Sequence, residues 1–131
     1  MTPREIAEAY VELINSGRYD EVGEMWAEDG ILYAPQGWVF EGKEAVKGFY
    51  SSFRDMNIPP MCEVSYSEDK EANTCTLELA TRMTRDGEGK WQTDPGAEFS
   101  WASLDLFTIN AEGKVQKMIA YIAPPNRWLT S

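Results

Sequence analysis

The spacing of apolar positions changes once along this chain, from a helical period in the first half to alternation in the second. Ile6, Tyr10, Leu13 and Ile14 recur at helical spacing as far as Gly17. They follow Thr2-Pro3-Arg4-Glu5, which has capping-box spacing with Pro at the first helical position. Tyr19, Val22, Met25 and Trp26 mark a short second helix ended by Ala27-Glu28-Asp29-Gly30, after which Ile31-Leu32-Tyr33 reads as a strand stopped by Pro35. Trp38-Val39-Phe40 is a second short extended piece. A third helix begins after Gly42, carries Val46, Phe49, Tyr50 and Phe53, and is stopped by Asn57-Ile58-Pro59-Pro60.

Beyond that stop the chain reads as strands over 61–67, 73–84, 97–110 and 115–123, separated by polar turns at 68–72, 86–90 and 111–113. Helices followed by an antiparallel meander predict an α+β fold. With 131 residues, no internal repeat and no low-complexity linker, the expectation is one domain over 1–125 and a C-terminal tail over 126–131. Trp128 in that tail suggests that it packs on something.

Within the strand expected over 97–110, Asp105 is a lone carboxylate in an otherwise apolar run. Alternation puts it on one face with Trp101, Phe107 and Ile109, where taking a charge out of water is costly. Two states satisfy that cost: a structural hydrogen bond, or an apolar pocket in which the pKa is raised and used. Tyr10 lies on the apolar side of the first helix, either as a core ring with its hydroxyl at the edge or as a donor aimed into a cavity.

Composition narrows the chemistry. Histidine is absent, which removes Ser-His-Asp and Cys-His nucleophile systems and histidine metal sites. Proton transfer must use carboxylates, Tyr, Lys, Cys or water. No phosphate loop precedes a helix, since the glycines at 87 and 89 fall in a polar turn, so neither cofactor nor metal is expected. Twenty-two acidic against twelve basic residues give a net charge of -10 with no basic stripe, so nucleic acid is not an expected partner. No apolar stretch approaches the roughly 20 residues that span a bilayer, and the chain opens on a helix instead of a signal peptide, so a cytoplasmic protein without membrane attachment is expected. Cys62 and Cys75 lack metal-ligand spacing and read as buried thiols.

Three helices, a short hairpin between the second and third, and a long bent sheet form a layout similar to the nuclear transport factor 2-like superfamily, almost end to end. The segments 10–17, 26–30, Ala34-Pro35, 42–46 and 110–115 resemble its ketosteroid isomerase and polyketide cyclase branches. The resemblance implies three helices on a strongly bent antiparallel sheet, and a hydrophobic pocket. It also implies that Tyr10 and Asp105 fall on the two donors of an oxyanion hole; the isomerase is a known case of a carboxylic acid kept neutral by an apolar site. The general base of that branch, an aspartate before a proline, corresponds here to Ala34 before Pro35, and alanine moves no proton. In cyclase relatives a late-strand aspartate is itself the base, a role open to Asp105 with Tyr10 as its partner.

Trp26, Trp38, Phe53, Met83, Trp101, Phe107 and Met118 are the expected cavity walls, by face parity and by matching positions in the resembled fold. The leading expectation is a cofactor-independent isomerase, lyase or cyclase acting on a hydrophobic carbonyl or phenolic small molecule. The alternatives are a noncatalytic binder of hydrophobic small molecules and a protein-interaction or assembly domain. Relatives commonly pair through the outer sheet face, and Leu104 and Leu106 oppose Asp105, so a homodimer is expected.

Overall fold

The structure is a computed structural model that describes residues 1–55, 61–85, 87–88, 91–93 and 99–123, with no side-chain description at 36, 62–63, 81–85, 91–93, 99–102 and 123. The helix stop at 57–60 and the tail 126–131 lie outside the described residues, as do the side chains of Met83 and Trp101.

Helix α1 runs Pro3–Asn15, and the Thr2 hydroxyl and the Glu5 carboxylate complete the expected capping box. Helix α2, Tyr19–Gly23, ends earlier than the apolar spacing suggests, because Trp26 starts strand β1, Trp26–Tyr33. Trp26 pairs with Val115, and the Val115 N–H donates to the Met25 carbonyl at 2.8 Å, so inter-strand bonds replace a further helical turn. A short 3-10 turn, Pro35–Gly37, leads into β2, Val39–Glu41, and then α3, Lys43–Ser51, extended by a second 3-10 turn at Ser52–Asp55.

Five strands follow: β3 Cys62–Asp69, β4 Thr74–Arg85, β5 Trp91–Thr93, β6 Phe99–Ile109 and β7 Val115–Ala123. The sheet order is β2-β1-β7-β6-β4-β3, with β5 pairing onto β4. The β1–β7 pairing is parallel, so the curved sheet is mixed, where the run of strands had suggested antiparallel pairing throughout. A meander cannot reveal this, because β1 precedes α3 in sequence and joins the sheet beside the last strand. No described helix is long and apolar enough to cross a membrane.

The helices cover one face of the sheet, and their apolar side chains merge with its inner residues into one core of Ile6, Tyr10, Trp26, Val46, Tyr50, Leu77, Phe107 and neighbours. Helices α2 and α3 meet where Gly23 faces Lys47. A Cβ at Gly23 would lie 2.7 Å from the Lys47 Cα, a backbone atom that no rotamer change can move. Gly23→Ala is therefore expected to destabilise the fold by about 2 kcal/mol through overpacking. An unchanged thermal midpoint would refute this helix contact.

Candidate active site

Strand register across the inner face sets the geometry of the site. Three cross-strand rows stack along it: Cys75, Phe107, Met118 and Leu32; then Leu77, Asp105 and Ala120; then Leu79, Ser103 and Ile122. Ser103, Asp105, Phe107 and Ile109 are all buried while Leu104, Leu106 and Thr108 are less so, as alternation requires. Asp105 thus sits in the interior, 3% exposed, under the helical layer. Among the described residues no side chain donates a hydrogen bond to it and no cation pairs with it. Burial pushes its carboxyl up to about 7.

Tyr10 faces the same interior from α1, with its ring edge-on to Phe107 at 5.1 Å between centroids. Its hydroxyl does not bond Asp105. It bonds the hydroxyl of Tyr50 at 2.9 Å, and the Tyr50 hydroxyl lies 3.7 Å from the Met118 sulfur. Both phenols are held above the usual tyrosine range, chiefly by burial, with the Asp105 charge adding to the effect. Both therefore stay protonated at neutral pH and act as donors. The Tyr50 hydroxyl donates to the Met118 sulfur, which leaves its oxygen to accept from Tyr10, so a ligand oxygen receives the Tyr10 proton by taking the place of Tyr50 as acceptor.

Tyr50 is the residue that sequence reasoning missed as chemistry, having been read as part of the third helix's apolar stripe. The signal was a phenol where a phenylalanine would fill the same space: two buried hydroxyls on different helices need partners and can satisfy each other. Trp26 closes the group, with its ring 5.6 Å from Tyr50 and 6.5 Å from Tyr10, and its indole N–H donating to the Ile31 carbonyl at 3.2 Å. Phe53 packs edge-on against Tyr50 at 5.3 Å from the 3-10 turn after α3.

Of the expected walls, then, Trp26, Phe53, Phe107 and Met118 gather around Tyr10 and Tyr50. Trp38 does not join them. It is 59% exposed, because the 3-10 turn carries it outward to lie beside the exposed Val39. Ala34 is buried, and its N–H closes that turn onto the Trp38 carbonyl at 2.8 Å. Glu78 lies on the outer face with Leu104, within 3.5 Å of the Ser65 hydroxyl, and Arg54 pairs with Asp20; neither reaches Asp105.

A separate open cleft of about 390 Å³ lies at the β6–β7 turn, lined by Trp26, Glu28, Asp29, Lys43, Asn110 and Glu112 among others. Lys43 there pairs with Glu24 and Glu28, and Asp29 accepts from Gln116. No group of His, Cys, Asp and Glu among the described residues could hold a metal ion.

A mixed curved sheet under three helices is the fold that this chain shares with the proteins it is similar to. The chain belongs to the SnoaL-like domain family, whose model matches residues 7–118. Among solved structures it is 25% identical to SalBIII, an epoxide hydrolase/cyclase-like enzyme associated with pyran ring formation in the polyether salinomycin. That match has a TM-score of 0.70 and covers 92% of this chain and 90% of the other. A candidate polyketide cyclase from Pseudomonas putida KT2440 shares 20% identity, with a TM-score of 0.75 over 99% of this chain and 97% of that one. Another from Xanthomonas campestris pv. campestris shares 18%, with a TM-score of 0.73 over 98% and 94%. No curated protein matches the chain.

Proposed function

We propose that this chain is a small-molecule cyclase or isomerase working by side-chain acid–base chemistry, with Asp105 transferring the proton and Tyr10 donating to an oxygen that gains negative charge. The observation that carries this reading is Asp105: a carboxyl buried without a described counter-ion and poised at about 7. Such a group is populated in both forms near neutral pH, where either proton donation or abstraction is most effective. The aromatic and thioether surroundings favour a hydrophobic substrate with a carbonyl, phenol or comparable oxygen. No cofactor is needed for this chemistry.

The family and the 25%-identical neighbour favour ring closure. In the closure of a hydroxy-epoxide, the hydroxyl oxygen bonds to the epoxide carbon as that carbon's bond to the epoxide oxygen breaks. The hydroxyl proton passes to the Asp105 carboxylate, and the released alkoxide, held by a hydrogen bond from Tyr10, takes that proton from Asp105, so the carboxylate is regenerated and no proton is gained or lost overall. A noncatalytic binder is the second reading, favoured by Ala34 where an acid would otherwise stand. A panel of hydrophobic hydroxy-epoxides and enones followed by NMR separates the two. Turnover that disappears in Asp105→Asn supports the enzyme, and binding without turnover across the panel supports the binder.

The same reading includes a homodimer. On the outer face, Val39, Tyr33, Ile119 and Leu106 form one cross-strand row, with Tyr121 and Leu104 in the next. Tyr33, Val39 and Tyr121 are exposed in the single chain, an apolar surface suited to a second copy. Sedimentation is expected to show a dimer at micromolar concentration that Leu104→Lys combined with Leu106→Lys dissociates. A wild-type monomer would refute it. The buried reduced thiol of Cys75 fits a cytoplasmic setting.

A further inference from the structure

One polar group on the inner face is left unused by the chemistry above. Ser103 precedes Asp105 by two residues on β6, so the two side chains share a face and their Cα atoms stand about 6.6 Å apart, twice the rise of a strand residue. It is 8% exposed, and among the described residues its hydroxyl has no hydrogen-bond partner. A buried hydroxyl without a partner is costly, and strands have no need of Ser at an inward position flanked by Leu79 and Ile122. Ile122 belongs to the same row and is 46% exposed where β7 runs past the end of β1, so the Ser103 row lies nearer solvent than the Asp105 row. A ligand entering there passes Ser103 before it reaches Asp105.

We propose that Ser103 is a second binding group of this site and that, with Asp105, it selects substrates carrying two oxygens separated by roughly the spacing of alternate strand residues. This rests on the acid–base reading above and deepens it. One oxygen reacts at Asp105 while the other is held by the Ser103 hydroxyl nearer the mouth. A substrate of this class is bifunctional, as a ring-closing chain must be, and the second contact fixes which oxygen is presented to the carboxyl. Ser103 is a specificity residue here, and proton transfer stays with Asp105.

The test compares two probes by calorimetry on the full chain: β-naphthol, with one hydroxyl, and the naphthalenediol that carries a second hydroxyl on the far ring. Ser103→Ala is expected to weaken the diol about tenfold, the range of one hydrogen bond, and to leave β-naphthol within about twofold. Ser103→Thr, which keeps the hydroxyl, should restore diol affinity. Asp105→Asn should weaken both probes. Thermal denaturation supplies a readout that a structural role would move the other way: without a partner to lose, Ser103→Ala should melt no lower than wild type. Equal effects of Ser103→Ala on both probes, or none on either while Asp105→Asn still weakens both, would overturn the role of Ser103 and leave the acid–base site standing. Failure of wild type to bind either probe would overturn both.

Discussion

Asp105→Asn flattens the stability of this protein between about pH 4 and pH 7, where wild type loses stability as pH rises. The sign follows from proton counting. Burial raises the carboxyl from 3.8 to about 7, so in that window the native state holds a proton that the unfolded chain has released. Stability therefore falls with pH by roughly 1.36 kcal/mol per unit, accumulating to about 4 kcal/mol once both states are ionised. No discount for solvent screening applies to a side chain only 3% exposed. Asparagine does not ionise, so the difference between variant and wild type should grow across the window and then level off. Its buried amide costs about 1 to 3 kcal/mol at every pH, which shifts the whole curve without changing its slope. Urea denaturation at a series of pH values reads the difference directly. Parallel curves through neutrality would mean that Asp105 titrates normally and that the interior holds no poised carboxyl.

The two halves of the chain were not equally legible. The alternation from Ser103 to Ile109 gave both the strand and the inward aim of Asp105, because one buried face forces a period of two. The last strand was read to its residue, Val115–Ala123, and the capping box located the first helix. Trp26 was assigned to the wrong element because a large apolar residue one step beyond a helix satisfies the helical period too. Only its pairing with Val115 decides between the two, and that contact spans most of the sequence. The parallel β1–β7 pairing is hidden for the same reason. Tyr50 shows a different limit: periodicity tells which residues face inward but does not distinguish a hydroxyl that fills space from one that bonds another. Its partner, Tyr10, lies 40 residues away. Trp38 carries the opposite lesson, since a short turn at Pro35–Gly37 rotates an aromatic side chain out of the interior that parity had assigned it.

Turnover, once a substrate is in hand, should rank the site residues in a fixed order. Asp105→Asn is expected to cost the most, about a thousandfold in kcat, because it removes the proton-transfer group itself. Tyr10→Phe should cost about a hundredfold, the effect of deleting one donor to a developing oxyanion. Tyr50→Phe should cost less, about tenfold, since its hydroxyl acts only by orienting that of Tyr10 at 2.9 Å. Acting through Tyr10 makes Tyr50 a positioning residue, so the double variant Tyr10→Phe with Tyr50→Phe should be little worse than Tyr10→Phe alone. The pH profile then assigns the role of the carboxyl. If Asp105 is the base, kcat/KM rises with pH to an inflection near its value of about 7; if it is the acid, kcat/KM falls through the same point. Either inflection should vanish in Asp105→Asn and persist in Tyr50→Phe. A Tyr50 substitution that costs more than Tyr10→Phe, or a double variant whose losses simply multiply, would show that the two phenols act on the substrate independently and that the donor chain inferred from their hydrogen bond is wrong.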